Sequence, residues 1–196
     1  AIGGREKIES VNALMTMGEA ALQGGAMTIS LVTIQAKPNK ISVMMLMMGN
    51  VMMKQVFNGE EGYIMQQGQK IPFPEEEKQK LLSTSLPFEE LSWFDDENVV
   101  FSFVSEEEGT KEYVLKTDEK TTVYFDANTG LKTKEVTLVP TPDGKVAPQS
   151  TVYDDYREVD GILFPFVIKV PMGPQLLDFH IKQIQVNPNI SDSDFN

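Results

Sequence analysis

The chain has 196 residues, 41% of them hydrophobic, enough for one sizeable core, and it reads as a single domain over residues 1–196. Its formal charge is -12, from 29 acidic against 17 basic side chains, so a nucleic-acid backbone would be repelled rather than gathered. With no cysteine and one histidine, disulfides, thiol nucleophiles and cysteine metal sites are excluded, and no apolar run approaches the roughly 18 residues of a membrane-spanning helix.

From the N-terminus, Ile8, Val11, Leu14 and Met15 fall on one stripe of a helix, which predicts a helix over 5–15 ending before Gly18. Strand patterns then occupy 26–36, 41–48, 51–57 and 62–67. Pro74-Glu75-Glu76-Glu77 puts proline and three acids where a helix N-terminus favours them, and Pro87 limits that second helix to about Ser85, with a turn over 88–91. Further strands are expected over 98–104, 111–116, 121–126, 131–139, 150–158, 162–170 and 176–186, separated by turns such as Asn128-Thr129-Gly130, Pro142-Asp143-Gly144 and Asp160-Gly161. The order describes a mainly β (α+β) fold. A long antiparallel sheet curls into an unclosed barrel, covered by an N-terminal helix and a mid-chain helix.

The most unusual stretch is the expected hairpin, where six of the 11 methionines lie between Met44 and Met53. A strand with one wet face alternates apolar with polar residues, whereas here both faces are apolar and both need cover. With Gly49-Asn50 in the turn and Met48 opposite Val51, Met44, Leu46, Met48, Val51 and Met53 share one face. The other carries Ile41, Val43, Met45, Met47, Met52 and Val56, broken only by Lys54. Methionine is flexible and polarizable, and it suits surfaces that accept varied apolar shapes. The second set, extended by Tyr63 and Met65 of the next strand, is therefore the candidate lining for an apolar ligand. Lys54 is expected at its rim. Plain core packing is the alternative use of these methionines. A thioether copper site lacks supporting cysteine, histidine or convergent spacing, and neither a metal nor another cofactor is expected.

Catalytic chemistry has little to work with. His180 shares a strand face with Asp178, but no serine stands in a nucleophile-elbow context nearby. Gly3-Gly4 and Gly24-Gly25 lack the spacing and lysine of a phosphate loop. Asp154 with Glu158 has no feature that separates it from surface carboxylates, so no catalytic residue is assigned and no enzyme is expected.

Several short motifs act together: Lys37-Pro38-Asn39-Lys40 before the hairpin, Val56-Phe57-Asn58-Gly59 and Gly62-Tyr63 after it, and Tyr124-Phe125-Asp126 with Thr129-Gly130-Leu131-Lys132. Tyr156-Arg157-Glu158-Val159-Asp160-Gly161-Ile162 followed by Phe164-Pro165-Phe166 completes the set. In this order, across nearly the whole chain, they resemble the periplasmic lipoprotein-carrier superfamily (LolA and LolB-like). The resemblance implies an unclosed barrel whose helix-covered apolar face holds a lipid or lipoprotein acyl chain, in the periplasm or outer envelope of a Gram-negative cell. An export signal is then expected outside these residues. It also gives Lys37 a role in lid control, although the carriers keep an arginine there, with a planar fork of donors that lysine lacks. The opening residues 1–9 are similar to the start of the carrier-like C-terminal domain of some secreted insulinase-like zinc peptidases. That likeness implies a possible fused or docked peptidase partner, for which the chain would be a structural or interaction domain.

Overall fold

In the computed structural model, the described residues are 1–22, 27–66, 68–93, 99–107, 110–141, 144–172 and 175–196. Gly24-Gly25, the expected strand start at 26, the strand end at 67, the strand start at 98 and the Pro142-Asp143 turn lie outside them. The first half of the chain supplies β1 (Ala13–Leu22), β2 (Met27–Ala36), β3 (Lys40–Met47), β4 (Asn50–Phe57), β5 (Gly62–Gln66) and β6 (Gln69–Pro72). The second half supplies β7 (Val100–Glu107), β8 (Thr110–Lys116), β9 (Thr121–Asp126), β10 (Lys132–Pro140), β11 (Val146–Val159), β12 (Ile162–Met172) and β13 (Gln175–Val186). Each half is an antiparallel meander. They join through β1 and β13, giving the order β6-β5-β4-β3-β2-β1-β13-β12-β11-β10-β9-β8-β7. The sheet is not closed into a barrel, and β6 and β7 are its two free edges.

Among the described residues, three α-helices accompany the sheet: α1 (Arg5–Glu9), α2 (Glu75–Thr84) and α3 (Glu90–Trp93). The last two lie in the connection from β6 to β7. Pro74 precedes α2, three glutamates fill its first turn, and Ser85 ends it, its backbone N–H and its hydroxyl both bonding the Leu81 carbonyl at 3.1 and 2.5 Å. This helix follows the expected bounds.

The first helix does not. It stops at Glu9, and Leu14 and Met15 belong to β1. Beyond Ser10 the backbone is claimed by distant partners: Asn187 Oδ1 accepts from the N–H groups of Asn12 and Ala13, at 2.7 and 3.2 Å, and the Lys37 N–H donates to the Asn12 carbonyl. Helical spacing over a short apolar run lost to long-range strand pairing. The strand β6 also goes beyond the expected elements.

The hairpin turn is displaced by one residue from expectation. Met47 lies opposite Asn50, so Met48 and Gly49 form the turn with φ of 51° and 80°, the positive pair that a tight type I′ hairpin requires. The register then shifts, Met45 facing Met53 while Leu46 faces Val51, which leaves Met52 as the extra residue of a bulge. A one-residue slip exchanges faces. On β3, Ile41, Val43, Met45 and Met47 share a face; Val56 lies on the opposite face, with Ser42, Tyr63 and Lys54.

The inner face is the one carrying the helices. Phe57, buried to 1% exposure, packs there with Phe73 and Leu81, and Ile41 and Ile64 flank them. Gly62 permits this packing, because a Cβ there would run into the Phe73 ring and stand 2.6 Å from the Val56 carbonyl. Farther along, Met45 and Met47 pack against Ala20, Ile29, Leu177 and Phe179. Ile8, Val11 and Leu14 meet Phe88, Ile162 and Phe164 in the third inner cluster. Each fully buried aliphatic or phenyl side chain stabilises the fold by about 1.5–3 kcal/mol. The outer face has one core of its own, where Ala13, Ala36, Val56 and Tyr63 are covered by Phe195 of a C-terminal 3-10 turn, Asp192–Phe195.

A cavity between the roof segment and the inner face

The segment from Leu86 to Trp93 roofs the inner face of the second half of the sheet. It is held down by Gln35, whose side-chain amide donates to the Leu86 carbonyl at 2.8 Å, and by Phe88 stacked at a tilt on Phe164, with ring centres 5.8 Å apart. Trp93 meets Phe125 edge to face at 6.2 Å. Below this roof is a cavity of about 540 Å³. Leu14, Leu115, Phe125 and Phe164 contribute to its floor, Leu91 and Trp93 to its cover, and α1 closes one flank through Ile8.

Charged side chains gather at one wall of this space, Lys132 with Glu89 and Glu90, and Arg5 lies at the flank. Lys132, on β10, keeps 13% of its side chain exposed, and its ammonium lies 3.4 Å from Glu89, 3.7 Å from Glu90 and 3.8 Å from Glu135. It also stands over the Tyr153 ring at 4.5 Å and the Trp93 ring at 5.9 Å. The Tyr153 hydroxyl bonds Glu135 at 3.3 Å, and the Tyr156 hydroxyl donates to the Lys132 carbonyl at 2.8 Å. Burial pushes the Glu90 and Glu135 carboxyls above their ordinary values, with Lys132 opposing the shift. For Lys132 itself, burial works against the ammonium, but Tyr153, Glu90, Glu89 and Glu135 outweigh it and hold the group above its ordinary value. Burial also pushes the Tyr156 phenol up to about 12.

The residues expected to line a groove lie elsewhere. Ile41, Val43, Met45 and Met47 are on the inner face, but the cavity begins beyond them, its nearest wall on that side being Gln35, the β2 neighbour of Ile41. Val56, Tyr63 and Met65 are in the outer core, and Met52 is exposed in its bulge. Lys54 follows Val56 to the outer face, where it donates to the Asn196 carbonyl at 2.8 Å. Lys37 donates through Nζ to the Glu9 carbonyl at 2.6 Å, binding the last turn of α1 to the sheet. His180 and Asp178 are both exposed on the outer face of β13, opposite the buried Phe179 and Leu177. Among the described residues, no group of three or more His, Cys, Asp or Glu side chains is placed to hold a metal ion, and no helix is long and apolar enough to cross a membrane.

Of the cavity's aromatic residues, Phe125, Tyr156 and Phe164 were visible in the sequence only within turn-flanking motifs and Phe88 within an expected turn. The partners that meet Lys132 come from residues 89–90, 135 and 153, and no local pattern announces that convergence.

An open antiparallel half-barrel with helices across one face and an apolar cavity beneath them defines the class of protein. No family model and no curated protein matches the sequence. Among solved structures, the chain is similar to a DUF1329 family protein from Desulfovibrio piger, with a TM-score of 0.63 and 10% identity, over 97% of this chain and 92% of that one. It is similar also to a LolA superfamily protein from Nitrosomonas europaea, with a TM-score of 0.60 and 10% identity, over 95% and 90% of the two chains. At that identity the likeness concerns the fold, and the fold is LolA-like.

Proposed function

We propose that the chain is a non-enzymatic binding module that holds a lipid or acyl chain in the cavity beneath the roof segment. The observation that carries this reading is the cavity, whose volume of about 540 Å³ lies within the roughly 300–1,000 Å³ typical of small-molecule sites. Its lining has the expected character too, being largely aliphatic and aromatic with a few convergent polar groups. The inner-face residues Ile41, Val43, Met45 and Met47 would carry the far end of a longer chain. The LolA-like fold supports a carrier-type role, with the periplasm or outer envelope as its place of action.

Trp93 is the only tryptophan in the chain and lines the cavity, which gives a direct test. Delipidated protein titrated with the neutral apolar probe N-phenyl-1-naphthylamine should show saturable probe emission together with quenching of Trp93. Absence of saturable binding by this probe and by long-chain alcohols would sink the reading.

A further inference from the structure

Among the described residues, the one lysine on the cavity wall is already committed. Three carboxylates converge on Lys132, and when all are ionised they leave two negative charges in excess. Arg5, the other basic side chain on the wall, bonds Glu9 at 2.6 Å. Lys132, Glu89 and Glu90 all line the cavity, but Glu89 and Glu90 keep 36% and 24% of their side chains exposed against 13% for Lys132, so carboxylate is more accessible there than the ammonium. The rings of Trp93 and Tyr153 present their negative faces to the same place.

We infer that the cavity selects amphiphiles by head group: it takes apolar chains ending in a cation, such as an alkylammonium, ahead of neutral ones, and it rejects carboxylate, sulfate and phosphate heads. This rests on the proposal that the cavity binds an apolar chain, and it adds the polar end. An anionic head beside Glu89 and Glu90 would face like charges in a partly dehydrated site, where Coulomb interactions exceed those in bulk water. A cationic head would share the oxygens that Lys132 leaves unsatisfied. Burial of Glu90 and Glu135 fits the same picture, since a second cation would relieve the cost of keeping them ionised.

The test uses three ligands with the same 12-carbon tail, dodecylamine, dodecanol and dodecanoate, each competing at neutral pH against N-phenyl-1-naphthylamine below its own aggregation threshold. Dodecylamine should displace the probe most readily, and dodecanoate should be weaker than dodecanol by on the order of tenfold or more. The ranking should persist at about 0.5 M salt, where exposed charges are screened within a few ångströms. In E89Q/E90Q the spread should collapse toward the dodecanol value; if that variant does not fold, the ranking and its salt resistance in the unaltered protein decide. Dodecanoate binding as well as dodecanol overturns the inference while leaving the cavity proposal standing. A cation preference that disappears in salt also overturns it, since the attraction then belongs to the outer charge of -12. If none of the three displaces the probe, or the probe itself does not bind, both proposals fall.

Discussion

The two halves of the inner face solve the same problem differently. Around β3 and β4 the strands bring many small, slender or flexible side chains, and Met45 and Met47 settle against Ala20, Ile29, Leu177 and Phe179, while Phe57 is sealed by Phe73 and Leu81. Around β8 to β12 the strands bring wide rings, Phe125, Tyr153 and Phe164, under a roof with two more in Phe88 and Trp93, and these leave about 540 Å³ unfilled. Methionine bends to fill an irregular gap, whereas rings meet at fixed edges and faces. A methionine-rich strand is therefore weaker evidence of an open groove than of adaptable packing.

That contrast is open to attack on stability first. Phe57→Ala should cost about 3–5 kcal/mol, because Phe57 is enclosed on all sides. Phe164→Ala should cost at least about 1 kcal/mol less, because one side of that ring already faces a void and has fewer contacts to lose. Equal losses in denaturant titrations would erase the distinction between the two halves. Binding provides the next test. Leu91→Glu places a charge in the roof and should weaken N-phenyl-1-naphthylamine by about tenfold or more. Met45→Ala with Met47→Ala should leave that short probe within about twofold and lower affinity only for chains long enough to pass Gln35. If the methionine variant is the one that loses the short probe, the sites must be exchanged.

A smaller effect is expected at the flank. Lys37→Met removes the donor to the Glu9 carbonyl and should cost about 0.5–1.5 kcal/mol, with faster amide exchange confined to α1 and its contacts. Uniformly faster exchange would contradict a local role. The smallest effect concerns pH. Glu90 and Glu135 are raised in the folded state, so the folded chain binds their protons more tightly, and their burial weakens the fold increasingly as pH rises from the ordinary glutamate value through the raised ones. Asp126, Asp155 and Asp192 are lowered, chiefly by hydrogen bonds from Thr129, Arg157 and Lys40, and they support the fold above the ordinary aspartate value until pH falls through their lowered ones. Thermal stability should therefore peak on the mildly acidic side of neutrality. E90Q/E135Q should flatten its decline toward neutral pH, and a stability optimum unaffected by that change would count against the burial argument.

The fold was largely legible in the sequence because strand alternation and turn residues are local signals, and β9 and the helix between Pro74 and Ser85 show how far they reach. Local signals failed where distant groups decide the outcome. Leu14 satisfies a helical stripe, yet the Asn187 side chain and the Lys37 N–H draw its neighbours into the sheet. The hairpin faces failed for a narrower reason: Met48, a residue not ordinarily found at positive φ, takes the first turn position that Gly49 was expected to hold, and the strands then come into register only through a bulge at Met52. The bulge, a one-residue slip, moved Val56, Tyr63 and Met65 to the outer core while leaving the β3 residues inside. The cavity was not legible, because empty volume depends on how rings from three strands and the roof fail to fill the space between them.

The roof differs from a flap hinged at one end. Its chain leaves the sheet at β6 and re-enters at β7, the two free edges, so it is a strap fastened to both sides of the opening. A strap of fixed contour length ties its height above the floor to the distance between its anchors: drawing the edges together gives it slack to arch upward, and spreading them pulls it flat against the floor. If the cavity takes a ligand as proposed, its admission would be tied to the separation of β6 and β7.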